Sequence, residues 1–129
     1  MKSPLQVAYQ HARKSSVKVL GEKNVYDYAP GTKRKFPLII IGTGQELTKF
    51  NKTAAYGIII QDLSIYSNNF QNRGTLDSIA TELKEELLKE HNLNNYSLHV
   101  NNINSVYRVD DSTKTPLPYI RITIEFRYN

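Results

Sequence analysis

The residues that could do chemistry in this chain are three histidines, a Gly-Thr-Gly run and a few carboxylates. His11, His91 and His99 fall on a helix, a helix end and a strand, without the spacing that metal ligands share. The positive charge a histidine carries suits the negative end of a helix, which accounts for His91 without any catalytic role. Gly42-Thr43-Gly44 follows an apolar strand as a phosphate loop does, but no Gly-Lys-Ser/Thr comes after it and the sequence beyond reads as a loop. A turn is the simpler reading. Asp110 and Asp111 offer hard oxygen ligands, yet adjacent acids lack the spaced set of a calcium loop and are explained by solvation. An enzyme would need a perturbed carboxylate or histidine in a pocket, with Asp62 or His99 as the candidates, and no nucleophile, base or paired carboxylate stands beside either. The expectation is a protein that is not an enzyme, with no cofactor and no metal.

Composition narrows the classes further. The chain has no cysteine, so disulfides, zinc thiolates and thiol nucleophiles are excluded. No apolar run approaches a bilayer span, and the N-terminal MKSPLQVAYQHARK lacks the apolar core of a signal peptide, so a soluble protein made inside a cell is expected. Seventeen Lys and Arg against twelve Asp and Glu leave a formal charge of +5, which suits a polyanionic neighbour without requiring one. His11, Arg13, Lys14, Lys18 and Lys23 make a basic edge on the first helix, and nine tyrosines are available for stacking. Most of those tyrosines lie on strands or beside apolar runs, and no nucleic-acid reading head is present.

The elements that must position these residues follow from periodicity. The organising stretch is Tyr56 to Leu93, a strand running into a long amphipathic helix. Ile58, Ile59 and Ile60 are apolar on both faces and call for cover from two sides, whereas Leu63 and Ile65 alternate with Asp62 and Ser64. Asn68, Asn69, Gln71, Asn72 and Gly74 break the ladder, and Leu76, Ile79, Ala80, Leu83, Leu87 and Leu88 then recur at helical spacing. Asn92 offers a left-handed cap, with Leu93 folding back on Leu88. Ahead of this unit, Ser3, Pro4 and Gln6 form a helix start, Leu5, Ala8, Tyr9, Ala12, Ser16 and Leu20 share its buried face, and Gly21 ends it.

The intervening segments complete the pattern. Asn24 to Tyr28 is extended, Pro30 and Gly31 turn, and Lys33, Arg34 and Lys35 are a solvated basic run. Phe36 to Ile41 reads as a central strand with Pro37 at its start. Gly42 to Ala55 is polar and expected to be a long hairpin loop carrying Leu47 and Phe50. Leu98 and Val100 count in the opposite phase to Ile103, Tyr107 and Val109, so Asn101 and Asn102 mark a bulge or a break. Ile120, Ile122, Ile124, Phe126 and Tyr128 alternate with Arg121, Thr123, Glu125 and Arg127 as the clearest strand. At 129 residues this is one α+β domain spanning 1–129, able to bury roughly two thirds of its unfolded surface. Its expected form is a mostly antiparallel sheet of four to six strands with two α-helices packed on one face.

Taken in order, VYDYAP at 25–30, FPLIIIG at 36–42, YGIIIQDLSIYSNNFQNRGTLDSIATELKEELL at 56–88 and YIRITIEFRY at 119–128 resemble one family. It is the tail terminator, or tail completion and tail-to-head joining, proteins of long-tailed bacteriophages. The likeness covers nearly the whole chain and rests on the order of its motifs, with IYSNN at 65–69 standing where an aspartate and tryptophan are common. The resemblance implies a structural protein without an active site, forming a homo-hexameric ring on the last ring of the tail tube. Such a ring stops tube growth and joins the head, with DNA passing through its lumen without sequence-specific binding. The implied partners are other copies of the chain, the tail tube protein, a head-side neck or stopper protein and the tape measure protein, with no membrane. The implied location is the neck region of the virion, after assembly in the host cytoplasm.

On that reading the polar loop and the connection before the last strand carry contacts to neighbours, tube or head. The residues expected to do so are Lys49, Phe50, Asn51, Lys52, Tyr56, Asp110, Asp111 and Lys114. Two readings compete with a terminator: another neck component such as a head-side stopper, and a small basic nucleic-acid-binding protein.

Overall fold

The computed structural model describes residues 3–29, 34–50, 55–90, 93, 97–112 and 114–128. Pro30, Gly31, Lys33, Asn51, Lys52, His91 and Asn92, which the sequence reading invoked, lie outside these. Helix α1 spans Pro4–Leu20, followed by β1 at Val25–Tyr26, β2 at Leu38–Phe50, β3 at Ala55–Tyr66, helix α2 at Arg73–Leu88, β4 at Leu98–Asp110 and β5 at Leu117–Tyr128. The five strands form one sheet in the order β1-β2-β3-β5-β4, in which only the short β1–β2 contact is parallel. Both helices cover the same face, so the expected α+β architecture is the one observed.

Helix α1 begins where its chemistry says it should. The Ser3 hydroxyl accepts from the Gln6 backbone N–H at 3.1 Å, and Pro4 takes the first helical position, where its missing N–H costs nothing. Gly21 ends the helix at φ +91°, a backbone conformation that side chains with a Cβ resist. Ala8, Ala12, Ser15 and Ser16 are small and buried, which lets the helix lie close on the sheet. The Ser16 hydroxyl is satisfied by donating to the Ala12 carbonyl at 2.8 Å.

His11 differs from its expected place on a basic edge. It is 4 % exposed, and its Nε2 donates to the Leu87 carbonyl at 2.8 Å, with its ring edge-on to Phe126. Leu87 lies in the last turn of α2, where carbonyls have no partner within the helix, so His11 caps α2 from α1. Burial holds its pKa below the ordinary value, against the opposing pull of that carbonyl.

The core is one cluster between sheet and helices. Ile39 and Ile41 of β2, Ile59, Leu63 and Ile65 of β3, and Ile120, Ile122, Ile124 and Phe126 of β5 face Leu76, Ala80, Leu83 and Leu87 of α2. Leu93 joins this core, whereas Leu88, assigned to the buried stripe by its spacing, is half exposed because it lies off the stripe centred on Leu83 and Leu87. Glu22–Asn24 makes a 3-10 turn before β1, and the Asn24 amide donates to the Pro37 carbonyl at 2.9 Å, tying this segment to the entrance of β2.

The polar stretch after Ile41 is strand and not loop. β2 runs on to Phe50 and pairs with β3 as far as Ala55, with a register shift between Ile41 and Gly44. Gly42-Thr43-Gly44 is therefore the site of a β-bulge. A bulge frees backbone carbonyls, and the Gln61 side chain, 1 % exposed, donates to those of Gly42 at 2.9 Å and Asp62 at 3.1 Å. Gly44 leaves it room, since a Cβ there would stand 2.9 Å from the Gln61 Oε1. The predicted irregularity at Asn101 is likewise a bulge within one continuous strand, with the shift falling between Val100 and Asn102.

Two outcomes test this account. Gln61→Leu keeps the volume but leaves the bulge carbonyls without their donor, so unfolding in urea should show a loss of about 1–3 kcal/mol. Unfolded His11 binds protons below its ordinary pKa while the folded residue resists them, so stability falls as pH drops through about 6.5. Unfolding free energies from urea titrations between pH 8 and pH 5.5 should decline by up to about 1.4 kcal/mol per pH unit, and His11→Gln, which keeps an N–H donor, should flatten the decline.

Candidate functional site

The structure sorts the predicted contact residues into two groups at opposite ends of the sheet. Lys49 pairs with Tyr56 and Phe50 with Ala55 at one end, whereas Asp110 pairs with Leu117 at the other. Asp111 and Lys114 follow β4 at that second end and are exposed. Asn51 and Lys52 lie outside the described residues.

Among the described residues the hairpin end is built from β2 and β3. The last residue that β5 contributes is Tyr128, opposite Gly57, and the two strands of the hairpin continue beyond it. Its base is fixed by a close approach, because a Cβ on Gly57 would run into the Tyr128 ring, which lies flat across that position. The Tyr128 hydroxyl donates to the Glu46 carboxylate at 2.9 Å, and burial, with Glu46 second, raises its pKa. On the opposite face the Arg127 guanidinium sits 4.1 Å from the centre of the Tyr56 ring, a cation–π contact that orders the hairpin from below. Above this base Phe50 is 81 % exposed.

At the other end Asp110 accepts hydrogen bonds from the Ser112 backbone N–H at 2.9 Å and its hydroxyl at 2.6 Å. The Ser112 side chain, more than the backbone, holds the Asp110 carboxyl below its usual pKa. This is a turn closing on itself and not a cation loop. Among the described residues no three His, Asp or Glu side chains gather where a metal ion could bind.

Asp62 and His99 are not brought together. The Asp62 carboxylate accepts from the Thr123 hydroxyl at 2.9 Å, while His99 lies 3.6 Å from Glu90 near the hairpin end of β4. The basic edge of α1 is largely engaged: Arg13 meets Asp27 at 3.6 Å and Lys18 meets Glu86 at 3.3 Å. A shallow groove of about 590 Å³ between Arg13, Lys14, Val17 and Lys18 lies on the outer surface of that helix. Gln10 and Glu22 complete its lining.

With both helices on one side, as expected, the other face of the sheet is left to its own residues. Tyr56, Ile58, Ile60, Asp62, Ser64 and Tyr66 of β3 lie on it beside Tyr119, Arg121, Thr123, Glu125 and Arg127 of β5, and no described element covers them. The apolar positions Ile58 and Ile60 are half-buried there by their neighbours alone. Alternation in the last strand gave its own share of this face, but the cross-strand partners required the register.

No protein-family model matches the sequence, and no curated protein does. Among solved structures, a chain in the virion of a native gene transfer agent (GTA) particle is similar, with a TM-score of 0.61 and 15 % identity. The superposition covers 98 % of this chain and 94 % of that one. At this identity the likeness is one of fold, extending over both chains almost end to end.

The hairpin base yields a direct prediction. Gly57→Ala should destabilise the protein by about 1–3 kcal/mol through overpacking against Tyr128. Combining it with Tyr128→Ala should cost less than the two changes added together, which a double-mutant cycle by thermal unfolding would read.

Proposed function

We propose that this protein is a structural component of a bacteriophage virion, the tail terminator that closes the tail tube and presents the surface joining it to the head. The supporting observation is the fold it shares, almost end to end, with a chain of the GTA virion particle. The order of its sequence motifs narrows the proposal from virion component to terminator. It acts by shape and assembly rather than by reaction.

In this reading copies of the chain form a closed ring in which each subunit uses two different patches, so the contacts are heterologous. The two ends of the sheet suit a part that must be recognised from two directions. The hairpin, with Lys49, Phe50 and Tyr56, serves one neighbour, and the turn with Asp110, Asp111 and Lys114 serves another. The tube, the head-side neck protein and the tape measure protein are the proposed partners, with DNA passing through the ring.

Electron microscopy of particles made without this gene tests the proposal. A terminator leaves overlong tails beside separate filled heads, because growth arrest and joining depend on the same ring. Tails of normal length beside unjoined heads would move the protein to the head-side neck, and intact infectious virions would sink the assignment altogether. The contact role of the hairpin has its own test. Lys49→Ala with Phe50→Ala should leave thermal stability within about 0.5 kcal/mol, as exposed positions do, yet abolish joining when supplied in place of the wild type. Undiminished joining would remove the hairpin tip from the interface.

A further inference from the structure

The uncovered sheet face carries its charge unevenly. Cross-strand partners share a face, and the register pairs Tyr66 with Tyr119, Tyr119 with Arg108, and Arg121 with both Ser64 and Val106. Two tyrosines and two arginines therefore occupy adjacent positions on β3, β5 and β4 at the end away from the hairpin. The tyrosine rings stack at 4.9 Å and 23°, which makes a stiff floor beside the guanidiniums. Arg34 approaches the same end, 5.3 Å from the centre of the Phe36 ring, and acts electrostatically on both Tyr66 and Asp110.

The acids of this face are already engaged within the fold. Thr123 donates to Asp62, Asn101 to Glu125, and Ser112 to Asp110. Arg108 and Arg121 are exposed, and neither takes part in an ion pair among the described residues. The contrast with α1 is informative, because there Arg13 and Lys18 each face a carboxylate of the same chain. Arginine forks match phosphate oxygens in pairs. Leu38 and Leu117 are buried at this end of the face while both guanidiniums stay exposed, so it is charge that this surface offers to a partner.

We infer that this end of the open sheet face binds the phosphodiester backbone of DNA, through Arg108 and Arg121 with Arg34 beside them and the Tyr66–Tyr119 stack as floor. The contact reads phosphates and not bases, so it is independent of sequence. It stands apart from the terminator proposal, since the isolated chain is enough to test it.

The experiment is fluorescence anisotropy of a short labelled duplex of mixed sequence titrated with the purified protein between about 50 and 200 mM salt. Log affinity should fall linearly with log salt, and Arg108→Ala with Arg121→Ala should make that slope shallower by about two. Lys14→Ala with Lys18→Ala removes the same charge from the other layer and should leave the slope unchanged. Arg108→Lys with Arg121→Lys should retain it, which separates lost charge from a damaged fold. Absence of wild-type binding at the low-salt end would overturn the inference, and so would an equal loss from the lysine and arginine pairs. Competition by polyglutamate as strong, charge for charge, as that by unlabelled duplex would also overturn it and give the face to an acidic protein.

Discussion

The buried amide of Gln61 is the interaction on which the layout of the sheet depends. β2 must leave the covered body of the domain and go on as one arm of a hairpin, and it does so through a bulge between Ile41 and Gly44. Without that donor the carbonyls released there would lose their partner in a part-buried setting. Gln61 faces them from the neighbouring strand with two hydrogens to give, and reaches the carbonyls of Gly42 and Asp62. One side chain thus fixes both the register on either side of the bulge and the direction the hairpin takes. The residues above it, through Lys49 and Phe50, inherit their positions from that choice.

This dependence explains what could be read in advance and what could not. Helix α1, helix α2 and strand β5 were legible because one buried face repeats along each of them, as with Ile120, Ile122, Ile124 and Phe126. The helix start at Ser3 was legible because the cap is local. The outer half of β2 was not: Gly42 to Phe50 sits where neither face is deeply buried, so its composition carries the signature of a loop while its backbone pairs with β3. His11 was misread for the opposite reason. A polar residue on a helix looks solvated unless one knows that the carbonyl of Leu87, distant in sequence, needs its proton. Leu88 erred in the same family of ways, since a pair of adjacent leucines cannot both lie on the centre of one stripe.

For the candidate site, the arrangement of the expected contact residues was not readable in full. Lys49, Phe50 and Tyr56 are neighbours across a hairpin. The acids at 110 and 111 were assigned the same purpose, and the fold sets them at the opposite end of the sheet. Joining Arg108 to Arg121 needs the β4–β5 register, which the bulge at Val100/Asn102 shifts by a residue. Counting along the sequence cannot place that shift. The result is a chain whose surface is organised by direction: helices on one side, an open sheet on the other, and a distinct set of side chains at each end of the strands.

One more consequence comes from the pairing of β3 with β5. Strand β3 lies at the middle of the sheet, and its partner on one side follows it after a helix and another strand, with Gly57 joined to Tyr128 and Ile65 to Ile120. The β2–β3 hairpin can close locally, but Ile120, Ile122, Ile124 and Phe126 join the core only with β5. A chain emerging from the ribosome holds an open, apolar sheet edge until that strand is made, and loop closure over such a distance is slow compared with forming a helix or a hairpin. Tyr128 landing on Gly57 then completes the hairpin base in the same event that completes the core. The outward-held Phe50 is therefore set on a firm footing only once β5 has paired with β3.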